Sequence, residues 1–181
     1  KYPGMVLRFC CDHILPLTGQ QELNVYSEHH RTDKSKKKYI FRAHPSYRDD
    51  SGQVGNVWYD WAYFDVDDQS IPCQIMCFVN ITSIIDNPLP VNGYPIQETG
   101  YYAVVRRFVS QPKKHPRSNF VLTGKLMDGL FLFHCDSIIS VVAVVQNYLT
   151  GPSIGNQFFV VRNRDAWLGL FQDKIASFAE K

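Results

Sequence analysis

Apolar and polar residues alternate with a period of two along most of this chain, and the alternating stretches are separated by Gly, Pro, Asn and Asp. That is the pattern of short β-strands joined by turns. It predicts strands near residues 5–11, 23–27, 39–43, 57–66, 72–81, 101–110, 130–135, 138–148 and 157–162. The strongest signal is a pair of runs, 57–66 and 71–79, rich in aromatic and β-branched residues. They flank the acidic turn Asp67-Asp68-Gln69-Ser70 and read as a β-hairpin. Ile138-Ile139-Ser140-Val141-Val142-Ala143-Val144-Val145 is almost uninterrupted apolar sequence, expected of a strand buried on both faces and so of the centre of the core. Prolines remove ladder donors at 87–95 and 111–118, which are expected to be loops. Near the C-terminus the period changes. Asp165 is placed to cap a helix, and Leu168, Phe171, Ile175 and Phe178 follow at helical spacing, predicting an α-helix at about 165–179.

Residues 1–181 are therefore expected to form a single mainly β domain, its core at about 39–162, with that helix docked against it. At 181 residues the chain is long enough to bury a core without disulfide or metal staples. With 45% hydrophobic and 14% aromatic residues it is too apolar to be disordered. A formal charge of only +2 makes whole-molecule attraction to nucleic acid weak, so any such binding rests on a local patch. Cys10, Cys11, Cys73, Cys77 and Cys135 have no framework spacing and read as reduced thiols, which points to cytosol or nucleus. No apolar run approaches the roughly 20 residues of a bilayer span, and no membrane partner is expected. The opening on Lys1 and the helical pattern running to Lys181 are those expected of a domain cut from a longer polypeptide.

One basic patch stands out. Arg31, Lys34, Lys36, Lys37, Lys38, Arg42 and Arg48 crowd a short segment in which Asp33 is the only acid. Such a cluster suits phosphate binding, because each cation brought to a phosphate releases counterions. A charge run also serves as an ordinary solvated hairpin loop. Lys113, Lys114 and Arg117, in a second loop with His115, are candidates to extend the same basic face.

Tyr59, Trp61 and Tyr63 recur on one side of the predicted 57–66 strand, with Asp60 beside them. Exposed, these rings would cradle a methylated ammonium or stack on a base; otherwise they are core. Asp65, Asp67 and Asp68 are better read as turn chemistry than as the metal ligands of a nuclease. Cys73 and Cys77 lack the spacing of a zinc site. His134 and Cys135 are neighbours on a strand and point opposite ways, so the histidine cannot activate the thiol directly. No catalytic residue, metal site or cofactor is assigned.

The strand order resembles that of the bromo-adjacent homology (BAH) domain of chromatin proteins, a distorted β-barrel with small helical appendages. The counterparts are Pro72-Cys73-Gln74-Ile75-Met76-Cys77-Phe78-Val79, then the segment from Tyr101 to Pro112, then Leu132-Phe133-His134-Cys135-Asp136-Ser137-Ile138-Ile139-Ser140-Val141, and Gln157-Phe158-Phe159-Val160-Val161-Arg162 ahead of the C-terminal helix. Where that family shows a Trp-Tyr-x-Arg-Pro-like phrase, this chain has Arg106-Arg107-Phe108-Val109-Ser110-Gln111-Pro112, which keeps one aromatic and the proline. A second likeness, of Tyr39-Ile40-Phe41-Arg42-Ala43-His44-Pro45-Ser46-Tyr47-Arg48 with Trp58-Tyr59-Asp60-Trp61, is to proteins encoded by mobile elements of unicellular eukaryotes.

The resemblance implies a nuclear, non-catalytic chromatin interaction module, whose partner is a chromatin protein, a histone tail or a nucleosome. The first alternative is a nucleic-acid-binding β-barrel of a transposon protein, gripping DNA through its lysines and stacking a base on Tyr59 or Trp61. The second is a self-assembling jelly-roll shell protein.

Overall fold

The chain opens with a helix where a strand was expected at 5–11. Gly4–Phe9 is α-helical (α1), Cys10–Ile14 forms a π-helical turn, and Leu15–Thr18 (α2) ends at Gly19, whose φ of 64° is left-handed. Val6, Phe9, Cys10 and Ile14 recur at helical spacing, and all four are buried. The apolar window was too short to distinguish the two periods.

The computed structural model describes residues 2–32, 36–45, 58–86, 88–110, 121–146 and 157–161. The predicted helix at 165–179 lies outside them. The strands are β1 (Asn24–Tyr26), β2 (Glu28–Thr32), β3 (Lys38–His44), β4 (Trp58–Tyr59), β5 (Trp61–Val66), β6 (Gln69–Ile81), β7 (Gly100–Ser110), β8 (Val121–Leu126), β9 (Phe131–His134), β10 (Ile138–Val141), β11 (Ala143–Gln146) and β12 (Gln157–Val161). They belong to two units, Lys1–Arg107 with Met127–Val141, and Phe108–Leu126 with Val142–Lys181.

In the first unit β5 and β6 form the predicted hairpin, closed by Asp67 and Asp68 at φ 51° and 58° between the paired Val66 and Gln69. Both turn residues are left-handed, as a two-residue turn matched to strand twist requires, and aspartate tolerates that conformation. The ladder runs antiparallel from β10 through β5, β6 and β7 to β9, with β1 also on β6. The two end strands, β9 and β10, are joined only by the 3-10 turn Cys135–Ser137. The sheet therefore curls back on itself, and Phe64 of β5 lies 5.5 Å, ring to ring, from Phe133 of β9. No ladder joins β9 to β10 among the described residues, so the sheet is open and antiparallel, not the closed barrel expected.

The centre of the core is β6, not the 138–148 run. Cys73, Ile75, Cys77, Phe78, Val79 and Ile81 are wholly buried. A bulge between Ile75 and Cys77 shifts the side-chain phase of β6 against β7. Up to Ile75 its core residues pack with Phe64 and Phe133; beyond the bulge Cys77, Val79 and Ile81 pack with Val6 and Ile14 of the helix. The described part of the 138–148 run, residues 138–146, is instead two strands broken at Val142. Ile139 and Val141 of β10 are 54% and 53% exposed, because among the described residues β10 pairs only with β5 and sits at the end of its ladder.

A smaller antiparallel sheet, β2–β3–β4, also belongs to this unit and buries Phe41 and Ala43 in the Phe64 cluster. In the second unit the end of β7, from Phe108 to Ser110, pairs with β8, which continues through β12 to β11. A Cβ on Gly124 of β8 would collide with the Val109 carbonyl oxygen, so this close approach requires glycine.

Candidate functional site

The basic segment folds as the β2–β3 hairpin. Its register pairs Glu28 with Arg42, His29 with Phe41, His30 with Ile40, Arg31 with Tyr39 and Thr32 with Lys38. Alternation then gives two faces. His29, Arg31, Tyr39, Phe41 and Ala43 turn toward the main sheet, and Glu28, His30, Thr32, Lys38, Ile40, Arg42 and His44 turn away from it. The pairing was missed on the β2 side because Glu28-His29-His30-Arg31-Thr32 contains no aliphatic residue to betray a strand.

The cations of the patch are sorted by this geometry. Arg31 points inward, and its Nη2 donates to the Asp136 carbonyl at 3.4 Å. Arg42 lies outward, its Nε 3.5 Å from Glu28 Oε1, and the same carboxylate takes His44 Nε2 at 3.0 Å and His30 Nε2 at 3.7 Å. The bond to His44, then the positive field of His44, Arg42 and His30, holds the Glu28 carboxyl below its usual range. Lys36, Lys37 and Lys38 are exposed at the tip, with Lys36 at φ 62° and the Lys37 ammonium 5.1 Å from the centre of the Tyr39 ring. Lys34, Arg48, Lys113, Lys114 and Arg117 lie outside the described residues, so the second basic loop is not placed.

The aromatic set does not form an open cage. Asp60 interrupts the predicted 57–66 strand, separating β4 from β5. Tyr59 turns into the core beside both clusters, and burial, then the Cys77 sulfur, raises its hydroxyl pKa. Trp61 is 8% exposed, and Tyr63 is half-buried. Asp60 is engaged on both oxygens. Oδ2 accepts the Arg42 backbone N–H at 2.7 Å and Oδ1 accepts Trp58 Nε1–H at 2.8 Å. It fastens β4 to β3 instead of waiting for a cationic ligand. The exposed ring is Trp58, at 45%. It is the neighbour of Tyr59 on β4 and so lies on the opposite side of that strand, the side facing solvent.

A second group of polar side chains surrounds His134. Two clefts of about 260 and 270 Å³ both have Glu98 and His134 in their walls. His134 Nδ1 accepts the Asp136 N–H at 3.2 Å, and Nε2 stands 3.9 Å from Glu98 Oε1. A Cβ on Gly100 would come within 2.7 Å of that nitrogen. The adjacent Cys135 is buried, with its thiol pKa pushed up by burial and by Asp136, which is the opposite of an activated nucleophile. Burial likewise raises Cys73. Among the described residues no group of three His, Cys, Asp or Glu side chains is arranged to hold a metal ion, and no helix is long and apolar enough to cross a membrane.

No family model, curated protein or solved structure matches this chain. The functional reading therefore rests on the geometry of its own residues.

Proposed function

We propose that this chain is a non-catalytic interaction module of nuclear chromatin, BAH-like in its β-rich build, that holds a phosphate-bearing surface, the nucleosome or its DNA, through the β2–β3 hairpin. The observation that supports this reading is the sorting of charge on that hairpin. Arg31 points inward to the Asp136 carbonyl and Arg42 lies beside Glu28, and Lys36, Lys37 and Lys38 are exposed together at the tip. Three adjacent cations projecting from a two-stranded ribbon suit a polyanion and release counterions when they meet it. The aromatic-cage route to a histone tail loses support, because Tyr59 and Trp61 are packed and Asp60 is engaged on both oxygens.

The test is the salt dependence of binding to nucleosome core particles and to duplex DNA. The triple variant Lys36→Gln, Lys37→Gln, Lys38→Gln is expected to flatten the logarithmic salt slope by about 0.9 for each phosphate that a lysine neutralises in the parent chain. Its unfolding midpoint should not move. An unchanged slope in the variant, or no affinity of the parent chain for either probe at low salt, would overturn the reading.

A further inference from the structure

The outer face of the β2–β3–β4 sheet carries more than lysines. Register places Thr32 beside Lys38, His30 beside Ile40 and Glu28 beside Arg42, and on the other side of β3 it places Trp58 beside His44. Residues 38 and 44 are separated by about 20 Å of extended strand. The lysine tip and Trp58 thus mark the two ends of one strip, with Ile40, itself 42% exposed, between them. Among the described residues of β2 and β3, Glu28 is the one carboxylate on this strip, and Arg42 and His44 stand against it.

Trp58 is held as well as exposed. Its Nε1–H is fixed by Asp60, which is itself fixed by the Arg42 backbone N–H. The entropy of ordering the ring is therefore lost on folding and not again on binding. A pre-ordered indole face at one end of a cationic strip matches the chemistry of a single strand, whose bases stack on rings while its phosphates follow cations. In a duplex the bases already stack on each other, and the ring gains nothing.

We propose that this strip binds single-stranded nucleic acid, with a base stacked on Trp58 and phosphates on Lys36, Lys37 and Lys38. The span admits about four nucleotides, the low end for single-strand modules. The inference rests on the phosphate-holding reading of the hairpin and adds to it the strand state of the partner and the residue that senses it.

The experiment titrates the whole chain with an oligothymidylate and with a duplex of equal length at one low salt concentration, then repeats both with Trp58→Ala, Trp58→Phe and the triple lysine variant. The single strand should bind more tightly than the duplex. Trp58→Ala should weaken it roughly tenfold to a hundredfold while leaving duplex affinity unchanged, and Trp58→Phe should recover most of the affinity. Equal affinity for both probes, with Trp58→Ala neutral, overturns this inference and leaves the hairpin reading standing. Binding of neither probe by the parent chain overturns both. Should Trp58→Ala not fold, indole quenching decides: quenching by the oligothymidylate that disappears in Trp58→Phe supports the proposal, and quenching that persists unchanged overturns it.

Discussion

β6 and β3 are long strands of the same unit, and they bury in different ways. Along β6 nearly every side chain past Ser70 is covered, with two clusters dividing its residues between them. Along β3 burial alternates: Tyr39, Phe41 and Ala43 face the core, while Lys38, Ile40, Arg42 and His44 do not. A strand covered on both faces has its residues fixed by packing alone. One covered on a single face keeps the other for recognition, while the buried face anchors it. That contrast, more than any one residue, places the candidate site on the small sheet.

Substitutions should separate the two strands clearly. The largest effect is expected in β6, where Phe78→Ala leaves a cavity at a wholly buried position and should cost about 3–5 kcal/mol in denaturant unfolding. A cost below ~1 kcal/mol would mean that β6 is not the central strand. Next comes the bracket joining β3 to β4. Asp60→Ala removes a charged acceptor from two donors and should cost about 1–3 kcal/mol, with Trp58 fluorescence reporting a loosened ring.

A pH titration sharpens the comparison where the two sheets meet. The His29 ring packs 5.3 Å from Phe78 and 5.6 Å from Tyr101. Burial lowers its pKa below 6.5; Arg31, His30 and His134 act in the same direction, and Asp136 opposes them. The unfolded chain then binds the extra proton more readily. The contribution of His29 to stability is complete above about pH 6.5 and is lost as pH falls through that value toward the folded pKa. The unfolding midpoint should drop over this interval in the parent chain and drop less in His29→Phe. Parallel pH profiles would show that His29 is not the group responsible. The smallest effect is at the tip, where the triple lysine variant should change stability by no more than about 0.5 kcal/mol while changing affinity.

The parts of this fold that were legible from sequence are those where the local period and the tertiary environment agree. The β5–β6 hairpin was visible because its apolar runs, its length and its Asp67-Asp68 turn all point one way. The N-terminal helix was not, because the run from Met5 to Cys11 is apolar at every position but Arg8 and so marks neither period, and Ile14 lies beyond it. The apolar run from Ile138 to Val145 misled for a different reason. Composition reports how apolar a strand is but not whether a neighbour covers it, and among the described residues β10 lies at the end of its ladder. At the site, the lysines were legible as charge. The commitment of Arg31 to the Asp136 carbonyl and the exposure of Trp58 depend on register and on the break at Asp60, which no local pattern encodes.

The most direct test of the account is a map of backbone and indole NMR shifts on adding a short nucleic acid to the whole chain. Perturbations are predicted along β2, β3 and β4, at the Lys36–Lys38 tip and at the Trp58 Nε1–H, with β6 and β7 unmoved. Perturbations centred on the clefts beside His134, or none at all at saturating concentration, would contradict the placement of the binding surface on the small sheet.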